Sequence, residues 1–450
     1  DKKIAIIGSG PSGLTCAYDL ALDGYDVTVF EKEKRLGGML TLGIPSYRLE
    51  KDVLDAEIEV IREMGVKFET GMEIGKDISI EDLRGRGFGA FYVAIGASSG
   101  RNLGIEGEQA AEVMSGVEFL KKTNLHENTG VSGKVVVIGG GNVAIDVARS
   151  SVRLDGVNKV ELYCLESRET MPAHEEEVSE ALSEEIGINN SWGPARIIHE
   201  NGKVSGVEFK RCTSTFDASG TFSPQFDEND RKVVPCDYVL LSVGQTYAYG
   251  DLFKGEDVEL TLRNTVKVNR VTLQSSKADI FAGGDVASGP KLAIDAIAAG
   301  KEAAVSIHRF VQNGQSLVFG RDTQSYLMLD KESLQDITDY DGTARQRTVH
   351  VDGKVSRTTF KDLRGVLTEE QIRKETARCL GCGASKVDEY LCVGCGACTL
   401  RCKFDAIKLE RVNDVMGFEL DKLPKAVLKN ALTRKAKITL NKINPFSETR

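Results

Sequence analysis

The sequence predicts an α/β fold with parallel sheets, and three observations lead to this prediction. An apolar strand runs into a glycine-rich turn and a helix near the N-terminus, and the same arrangement recurs near residue 134. Four cysteines at short, regular spacing lie near residue 400. Strand–turn–helix units of this kind build doubly wound parallel sheets. We therefore expect two Rossmann-like domains and a small ferredoxin-like domain at the C-terminal end.

Length and composition are those of a multidomain globular protein. The chain has 450 residues, 41% hydrophobic and 28% charged, and at ~100–200 residues per domain this suggests about three domains. A net charge of -9 argues against a general nucleic-acid-binding protein, which carries a basic surface. No apolar run approaches the ~20 residues of a membrane span, and the sequence opens directly on a strand, so we expect no secretion signal. The expected location is the cytoplasm.

The first glycine-rich turn has the pattern of a dinucleotide-binding site. Gly8, Gly10 and Gly13 follow an apolar strand and open a helix. The first glycine permits the tight turn, the second lets the backbone approach a pyrophosphate, and the third lets the helix pack on the strand. The helix N-terminus offers free N–H groups to the phosphates. A second strand, Tyr25–Phe30, ends at Glu31, where a carboxylate can accept hydrogen bonds from ribose hydroxyls.

The second glycine-rich turn repeats this pattern. Gly139, Gly141 and Ala144 follow an apolar strand and open a helix, and a further strand ends near Glu166 and Arg168. Two such turns in one chain indicate two dinucleotides, one of which hands a hydride to the other. The alternative is a degenerate repeat that binds nothing.

Residues 278–285 indicate which site holds a flavin. They form a short strand and a tight turn that ends in Asp285, and a helix rich in small residues follows at 292–304. The carboxylate can hold a ribityl hydroxyl, and the helix N-terminus can face the flavin pyrimidine, where negative charge develops on reduction. We therefore expect FAD in the first site and a nicotinamide dinucleotide in the second.

The cysteines indicate an iron–sulfur site. Six of the ten crowd near residue 390, which fits metal ligation in a reducing compartment better than a disulfide framework. The last four have the C-x2-C-x2-C-x3-C spacing of bacterial ferredoxins, which favours a 4Fe–4S cluster. Six cysteines complete one four-cysteine cluster and leave a second one two ligands short, so the presence of a second cluster stays open. The alternative to an iron–sulfur cluster is a structural zinc site. The candidate ligands are Cys379, Cys382, Cys392, Cys395, Cys398 and Cys402.

These motifs resemble those of a known flavoprotein family. The family includes the small subunit of bacterial glutamate synthase, the flavin-binding part of dihydropyrimidine dehydrogenase and the large subunit of NADH-dependent ferredoxin–NADP oxidoreductase. The matching signatures, spread in order over residues 1–310, are Gly8-Ser9-Gly10-Pro11-Ser12-Gly13, Glu31-Lys32, Gly37-Gly38, Gly43-Ile44-Pro45, Ala94-Ile95-Gly96-Ala97, Gly139-Gly140-Gly141-Asn142, Met171-Pro172-Ala173 and Ala282-Gly283-Gly284-Asp285.

The resemblance implies an NAD(P) domain inserted into a discontinuous FAD domain. The expected parts are the FAD domain (1–105 and 255–310), the NAD(P) domain (106–254), a connector that packs on the flavin domain (311–378), the iron–sulfur module (379–410) and a tail (411–450). The expected FAD-binding residues are Gly8, Gly10, Pro11, Ser12, Gly13, Glu31, Lys32, Gly38, Gly96, Gly284, Asp285 and Ala293. The expected NAD(P)-binding residues are Gly139, Gly140, Gly141, Asn142, Val143, Glu166, Arg168 and Gly244.

The chain departs from the family pattern at two places. Members usually begin with a helical iron–sulfur domain, whereas here a sequence similar to part of it, residues 377–383, lies near the C-terminal end. Members that use NADP tend to carry an arginine pair where this chain has Leu165 and Glu166. A carboxylate there would repel a 2′-phosphate, although Arg168 can pair with one. The coenzyme stays open between NAD and NADP, with a slight preference for NADP on family grounds.

The expected function is electron transfer carried by the cofactors. No CxxC pair precedes residue 379, so electrons are expected to leave the flavin for the cluster rather than for a disulfide, and no catalytic side chain is assigned. The acidic run 175–177 is interpreted as the solvated start of a helix. We expect an NAD(P)H:ferredoxin-type oxidoreductase subunit of a multi-subunit redox complex, with electron bifurcation as one form, and with ferredoxin or another iron–sulfur or flavin subunit as partner. Two alternatives stay open: a glutamate synthase small subunit that supplies an amidotransferase, and a non-catalytic electron-wiring or redox-sensing scaffold.

Overall fold

The computed structural model describes most of the chain. The described residues are 2–217, 219–312, 314–321, 342–348, 351–378, 392–401, 407–410 and 422–443. The chain divides into two compact units, Asp1–Thr376 and Ala377–Arg450.

The first unit holds both glycine-rich turns. Its elements, in chain order, are β1 (Lys3–Ile7), α1 (Pro11–Leu22), β2 (Asp26–Glu31), α2 (Met39–Leu42), α3 (Lys51–Glu63), β3 (Lys67–Thr70), α4 (Ile80–Gly85), β4 (Phe88–Val93), β5 (Ser99–Gly100), β6 (Val113–Ser115), α5 (Gly116–Asn124), β7 (Gly133–Ile138), α6 (Asn142–Ser151), β8 (Val157–Tyr163), α7 (Glu175–Ser183), β9 (Gly187–Asn189), β10 (Trp192–Glu200), β11 (Lys203–Phe216), β12 (Phe222–Pro235), β13 (Tyr238–Leu241), β14 (Gln245–Thr246), β15 (Ile280–Ala282), α8 (Asp285–Ser288), α9 (Ala293–Val311), α10 (Gly353–Ser356) and α11 (Glu369–Ala377), which ends at the first residue of the second unit.

The first sheet is parallel, with strand order β15-β4-β1-β2-β3. Its central strand β1 is apolar and buried from Ile4 to Ile7, as expected when helices cover both faces of a parallel sheet. Helix α9 packs closely on α1, because a Cβ added at Gly300 would lie 2.3 Å from the carbonyl oxygen of Ser12. The small residues predicted in this helix therefore allow two helices to approach each other.

The second sheet is also parallel, with strand order β6-β13-β7-β8-β9. An antiparallel sheet, β10-β11-β12, packs against it, and the rings of Tyr163 and Phe209 stack across the interface with centroids 4.3 Å apart. After β13 the chain returns to the first sheet through β15. This topology confirms the predicted fold class, in which one Rossmann-like domain is inserted into the other; the domain boundaries given above remain predictions.

The second unit contains two described helices, α12 (Ala397–Arg401) and α13 (Leu423–Ile443). In the part of the chain that the structure describes, no helix has the length and apolar character needed to cross a membrane.

Candidate functional site

A cleft opens beside the first glycine-rich turn, at the carboxyl ends of the first sheet. Its volume is about 300 Å³, which lies within the ~300–1,000 Å³ range of small-molecule and cofactor sites. Of the twelve predicted FAD-binding residues, all but Gly13 line it. The carboxyl edge of a parallel sheet is where such folds bind ligands, because the turns into the following helices meet there.

The glycines of the first turn have distinct structural roles. Gly8 has φ +105°, and a Cβ there would lie 2.5 Å from the carbonyl oxygen of Ala94. A Cβ on Gly13 would lie 2.0 Å from the carbonyl oxygen of Gly8, so this residue serves packing behind the cleft. A Cβ on Gly10 would meet no atom of the described residues within 4 Å, because Gly10 faces the cleft. Open backbone at the start of α1 fits a pyrophosphate.

Glu31 is held in a fixed orientation at the end of β2. Its Oε2 accepts hydrogen bonds from the backbone N–H of Ser9 at 2.9 Å and from the Ser9 hydroxyl at 2.7 Å. Its Oε1 accepts a hydrogen bond from the N–H of Glu33 at 2.9 Å. An ionised carboxylate has about four acceptor positions, so capacity remains for a ribose hydroxyl. The buried Glu31 therefore fits the role that its spacing predicted.

Asp285 is the first residue of α8 and lies three residues after the end of β15, an edge strand of the first sheet. Its Oδ1 accepts a hydrogen bond from the N–H of Lys291 at 3.2 Å, and burial raises the pKa of this carboxyl above its ordinary value. Leu292 and Ala293, at the N-terminus of α9, line the same cleft. A half-buried carboxylate beside a helix N-terminus fits a polar cofactor that has both hydroxyl donors and a partly anionic ring.

We expect Asp285→Ala to weaken the retention of FAD. The substitution removes the carboxylate that is predicted to accept a hydrogen bond from a ribityl hydroxyl, and a charge-assisted hydrogen bond of this kind is typically worth ~1.5–3 kcal/mol. Flavin absorbance of the purified variant, measured through dilution and dialysis, checks this prediction. Asp55→Ala is the matched control, because Asp55 belongs to an exposed ion pair with Arg35. Full retention of flavin by the Asp285 variant would contradict the assignment.

The cleft also includes residues that the sequence analysis missed. Val117 and Lys121 line it from α5, which lies in the part of the chain predicted for the other domain. The Lys121 Nζ lies 2.7 Å from the Glu33 Oε1. Tyr249 and Leu252 line the cleft as well. No motif marks these four residues, since only the tertiary packing brings them to the cleft.

The second glycine-rich turn has the same geometry as the first. Gly139 has φ +143°, and a Cβ there would lie 2.3 Å from the carbonyl oxygen of Ser242. In the part of the chain that the structure describes, no atom lies within 4 Å of a Cβ added at Gly141, so the backbone at the start of α6 is open. Asn142 and Val143 form the first turn of α6, and the Asn142 side chain accepts a hydrogen bond from the N–H of His174 at 2.9 Å.

The residues predicted to face the ribose lie beside this turn. The Glu166 carboxylate lies against Gly140, where an added Cβ would be 2.5 Å from Oε2. Arg168 forms an ion pair with Glu175 at 2.5 Å, and both side chains are exposed. Gly244, which follows β13 with φ +110°, accepts a hydrogen bond from the N–H of Arg101 at 3.1 Å. Of these two charged residues, Glu166 is therefore the one that lies against the turn. Arg168 is farther along the chain and is already paired with Glu175.

The candidate cluster ligands are only partly described by the structure. Cys392, Cys395 and Cys398 are exposed, and none of them forms a disulfide within the described residues. Cys379, Cys382 and Cys402 lie outside the described residues. Within the described ranges, no three His, Cys, Asp or Glu side chains lie close enough together to hold a metal ion. Support for the cluster comes from the spacing of the cysteines and from the family matches below.

Two family matches cover most of the chain. Residues 2–300 match the family described as pyridine nucleotide-disulphide oxidoreductase, and residues 385–408 match the 4Fe-4S binding domain. The second match includes the ferredoxin-type cysteine run.

Several curated relatives are similar to the chain. The NADP(+)-dependent formate dehydrogenase subunit beta of Moorella thermoacetica is 36% identical over 85% of the chain and 54% of the relative. The NADPH-Fe(3+) oxidoreductase subunit beta of Geobacter sulfurreducens is 32% identical over 85% of the chain and 61% of the relative. The glutamate synthase (NADPH) small chain of Escherichia coli is 32% identical, with 69% of each chain covered. The chain thus spans a little more than half the length of the first two relatives.

A solved structure is similar in fold. FprA from Mycobacterium tuberculosis, in a His57Gln mutant form, superposes with a TM-score of 0.60 at 18% identity, over 69% of this chain and 84% of that one. These comparisons confirm the predicted resemblance and the predicted cofactors. The chain belongs to the pyridine nucleotide-disulphide oxidoreductase family, joined to a 4Fe-4S binding domain, and its cofactors are FAD, a nicotinamide dinucleotide and a 4Fe–4S cluster.

Proposed function

We propose that the chain takes a hydride from NAD(P)H and passes single electrons through its iron–sulfur module to a partner subunit. The observation that carries this proposal is the combination, in one chain, of two open glycine-rich turns with the ferredoxin-type cysteine run. When both dinucleotides are bound, the dihydronicotinamide gives a hydride, two electrons with one proton, to the flavin, which can release the electrons singly. No CxxC pair precedes residue 379 in this sequence, and we therefore propose the iron–sulfur module, rather than a disulfide beside the flavin, as the acceptor.

The side chains bind and orient rather than react. The open backbone at Gly10 and the N-terminus of α1 would receive the FAD pyrophosphate, while Glu31 would hold the ribose of its adenosine. Asp285 would hold the ribityl chain, and the α9 N-terminus would face the ring carbonyl where charge develops. Gly141 would receive the pyrophosphate of the nicotinamide dinucleotide.

NADPH is the proposed electron donor. The names of the three relatives specify NADP(+) or NADPH, and Arg168 is exposed near the end of β8, where a 2′-phosphate would lie. Glu166 opposes this choice, because its carboxylate lies against the glycine turn and would repel a phosphate. We therefore propose a preference for NADPH that Glu166 limits.

Glu166→Arg is expected to strengthen the preference for NADPH. The change replaces repulsion of the 2′-phosphate by a charge-assisted contact, and it should raise the NADPH-to-NADH ratio of kcat/KM at least tenfold, or ~1.4 kcal/mol. Steady-state dye reduction with each coenzyme gives the ratio. Glu175→Gln, which only frees Arg168 from its exposed ion pair, is the control and should change the ratio less. An unchanged ratio in Glu166→Arg would show that another residue sets the choice.

The proposed partner is a further redox subunit. Two of the relatives are named as beta subunits, one of a formate dehydrogenase and one of an Fe(3+) oxidoreductase. A multi-subunit complex is therefore the proposed assembly, located in the cytoplasm, and electron bifurcation is one form that it could take. A glutamate synthase small subunit is the second candidate, supported by the third relative. Co-purification of a large amidotransferase would favour the second candidate.

Anaerobic reduction of the bound flavin tests the proposed function. Addition of NADPH or NADH to the holoprotein should bleach the flavin and then reduce a one-electron acceptor. Gly139→Ala is the matched control, because a Cβ there would collide with the Ser242 carbonyl and distort the second turn while the first stays intact. This variant should keep FAD but lose bleaching. If neither coenzyme bleaches the flavin of the unmodified protein, the non-catalytic scaffold is the remaining function.

A further inference from the structure

A charged cluster joins the two Rossmann-like domains, and its residues belong to neither glycine turn. Arg48, between α2 and α3, reaches the second domain through both terminal nitrogens of its guanidinium. Its Nη1 lies 2.7 Å from the Asp146 Oδ2, and its Nη2 lies 2.5 Å from the Glu177 Oε1. The carboxylates come from α6 and α7, and their side chains are only 8% and 14% exposed. One side chain of the first domain thus bridges two helices of the second.

The residue before Arg48 is held from the same side. The Tyr47 ring lies under the guanidinium groups of Arg149 and Arg153, at 4.6 Å and 4.4 Å from its centroid. Both arginines contact Glu184, each with a 2.7 Å hydrogen bond, and the Glu184 side chain is almost fully buried. Two guanidinium groups thus contact the face of the buried Tyr47 ring, and both are paired with a carboxylate. These contacts hold Tyr47 in place against the second domain.

Residues 353–364 cover the contacts that Tyr47 and Arg48 make with the second domain, here called the junction. The Phe360 ring stacks on Tyr47 with centroids 6.3 Å apart, and the Arg364 Nη2 donates to the Arg48 carbonyl oxygen at 2.9 Å. On the second domain, the Arg153 Nε donates to the Thr359 carbonyl oxygen at 2.9 Å. The connector predicted to pack on the flavin domain therefore also contacts the inserted domain.

The junction connects the two cofactor sites over a short distance along the chain. Leu42 and Ile44, a few residues before Arg48, line the FAD cleft. Asp146 lies one helical turn after Asn142, the first residue of α6 after the second glycine turn. The Asn124 side chain also donates to the Leu42 carbonyl oxygen at 3.0 Å. A shift of Arg48 relative to Asp146 would therefore displace the second glycine turn relative to the flavin cleft.

Burial of the charged side chains at the junction has an electrostatic cost. Burial raises the pKa of Asp146 to about 6, although Arg48 acts to lower it. Among the residues that the structure describes, the buried Asp146 Oδ1 and Glu177 Oε2 have no hydrogen-bond partner. A buried ion pair of this kind adds little stability compared with an apolar replacement, and its better-supported role is to specify one arrangement. Domain interfaces within a chain otherwise permit relative motion.

We propose that Arg48 is a positioning residue, which fixes the nicotinamide-binding domain at the distance and angle that hydride transfer to the flavin requires. This inference rests on the proposed function. Reacting atoms must approach to ~3–3.5 Å, and a misplacement of ~1 Å can cost ~10²-fold in rate. The ion pairs of Arg48 are made with α6 and α7 of the second domain, so its effect on hydride transfer would pass through the position of these two helices.

Two substitutions of Arg48 test the proposal by anaerobic stopped-flow reduction of the holoprotein with NADPH. Arg48→Lys keeps the charge but cannot span both carboxylates, and Arg48→Met removes the charge. The limiting rate of flavin bleaching should fall about tenfold in Arg48→Lys and about 100-fold in Arg48→Met. FAD content and the apparent Kd for NADPH should stay within about twofold of the unmodified values. Arg196→Met is the control, because it breaks a 2.8 Å ion pair with Glu208 inside the second domain. It should leave the limiting rate, the FAD content and the Kd for NADPH unchanged.

The outcomes separate positioning from a structural role. A limiting rate within twofold of normal in Arg48→Lys would overturn the proposal, and so would a loss that follows the FAD content or appears only in the Kd. If Arg48→Met does not fold, Arg48→Lys decides alone. Failure of the unmodified protein to bleach with either coenzyme would overturn the proposed function, and the inference with it.

Discussion

The Cys395→Ser variant should lose its 4Fe–4S cluster and keep its FAD. Cys395 is the second thiolate of the C-x2-C-x2-C-x3-C run, in which three thiolates on a glycine-bearing loop reach three corners of one cubane cluster. The FAD cleft belongs to the first compact unit and the cysteine run to the second. Flavin bleaching by NADPH should therefore persist, while electron transfer to a one-electron protein acceptor should fall to background. Iron and sulfide analysis and low-temperature EPR of the reduced protein give the direct measurement.

The control for this experiment is another cysteine-to-serine change. Cys212 is buried in β11, where its thiol donates to the Ser214 carbonyl oxygen, and a serine hydroxyl can make the same hydrogen bond. Cys212→Ser should keep both cofactors and both activities. Zinc in place of iron in the unmodified protein, or an undiminished rate to the protein acceptor in Cys395→Ser, would contradict the electron-transfer role and leave a structural metal site.

The parts of the site that were predictable are local in sequence. The turn at residues 8–13 combines a strand, a tight bend and a helix within one short stretch, so its glycine spacing alone indicates the geometry that the structure shows. Glu31 follows the same rule, since the carboxyl ends of adjacent parallel strands lie together. The tight turn that ends in Asp285 is local as well.

The unpredicted parts depend on contacts between distant segments. Lys121 enters the FAD cleft from α5, and no pattern around it distinguishes it from any other helical lysine. The acidic run 175–177 does begin α7, as expected, but Glu177 is not a solvated side chain, because Arg48 of the other domain pairs with it. Sequence periodicity indicates which face of a helix is apolar; it does not indicate that a charged residue will be buried by a distant partner.

The last prediction separates the cofactor role of a glycine from its packing role. Gly10 has φ -66° and ψ 176°, a conformation open to any residue, and a Cβ there would have no described residue's atom within 4 Å. Gly10→Ala should therefore change the stability of the apoprotein by less than ~1 kcal/mol. The same methyl group would occupy the space where the backbone approaches the FAD pyrophosphate, so FAD affinity should fall at least tenfold, or ~1.4 kcal/mol.

Gly13→Ala is the companion variant with the opposite expectation. Its Cβ would lie 2.0 Å from the Gly8 carbonyl oxygen, where only backbone could yield, so the apoprotein itself should lose ~1–3 kcal/mol or more. Thermal unfolding of both apoproteins and FAD titration of each measure the two effects independently. The two variants separate the cofactor role from the packing role. If the turn served packing alone, Gly10→Ala would change neither the thermal unfolding nor the FAD affinity. Normal FAD affinity in a stable Gly10→Ala protein would show that the cofactor does not approach the backbone at this turn.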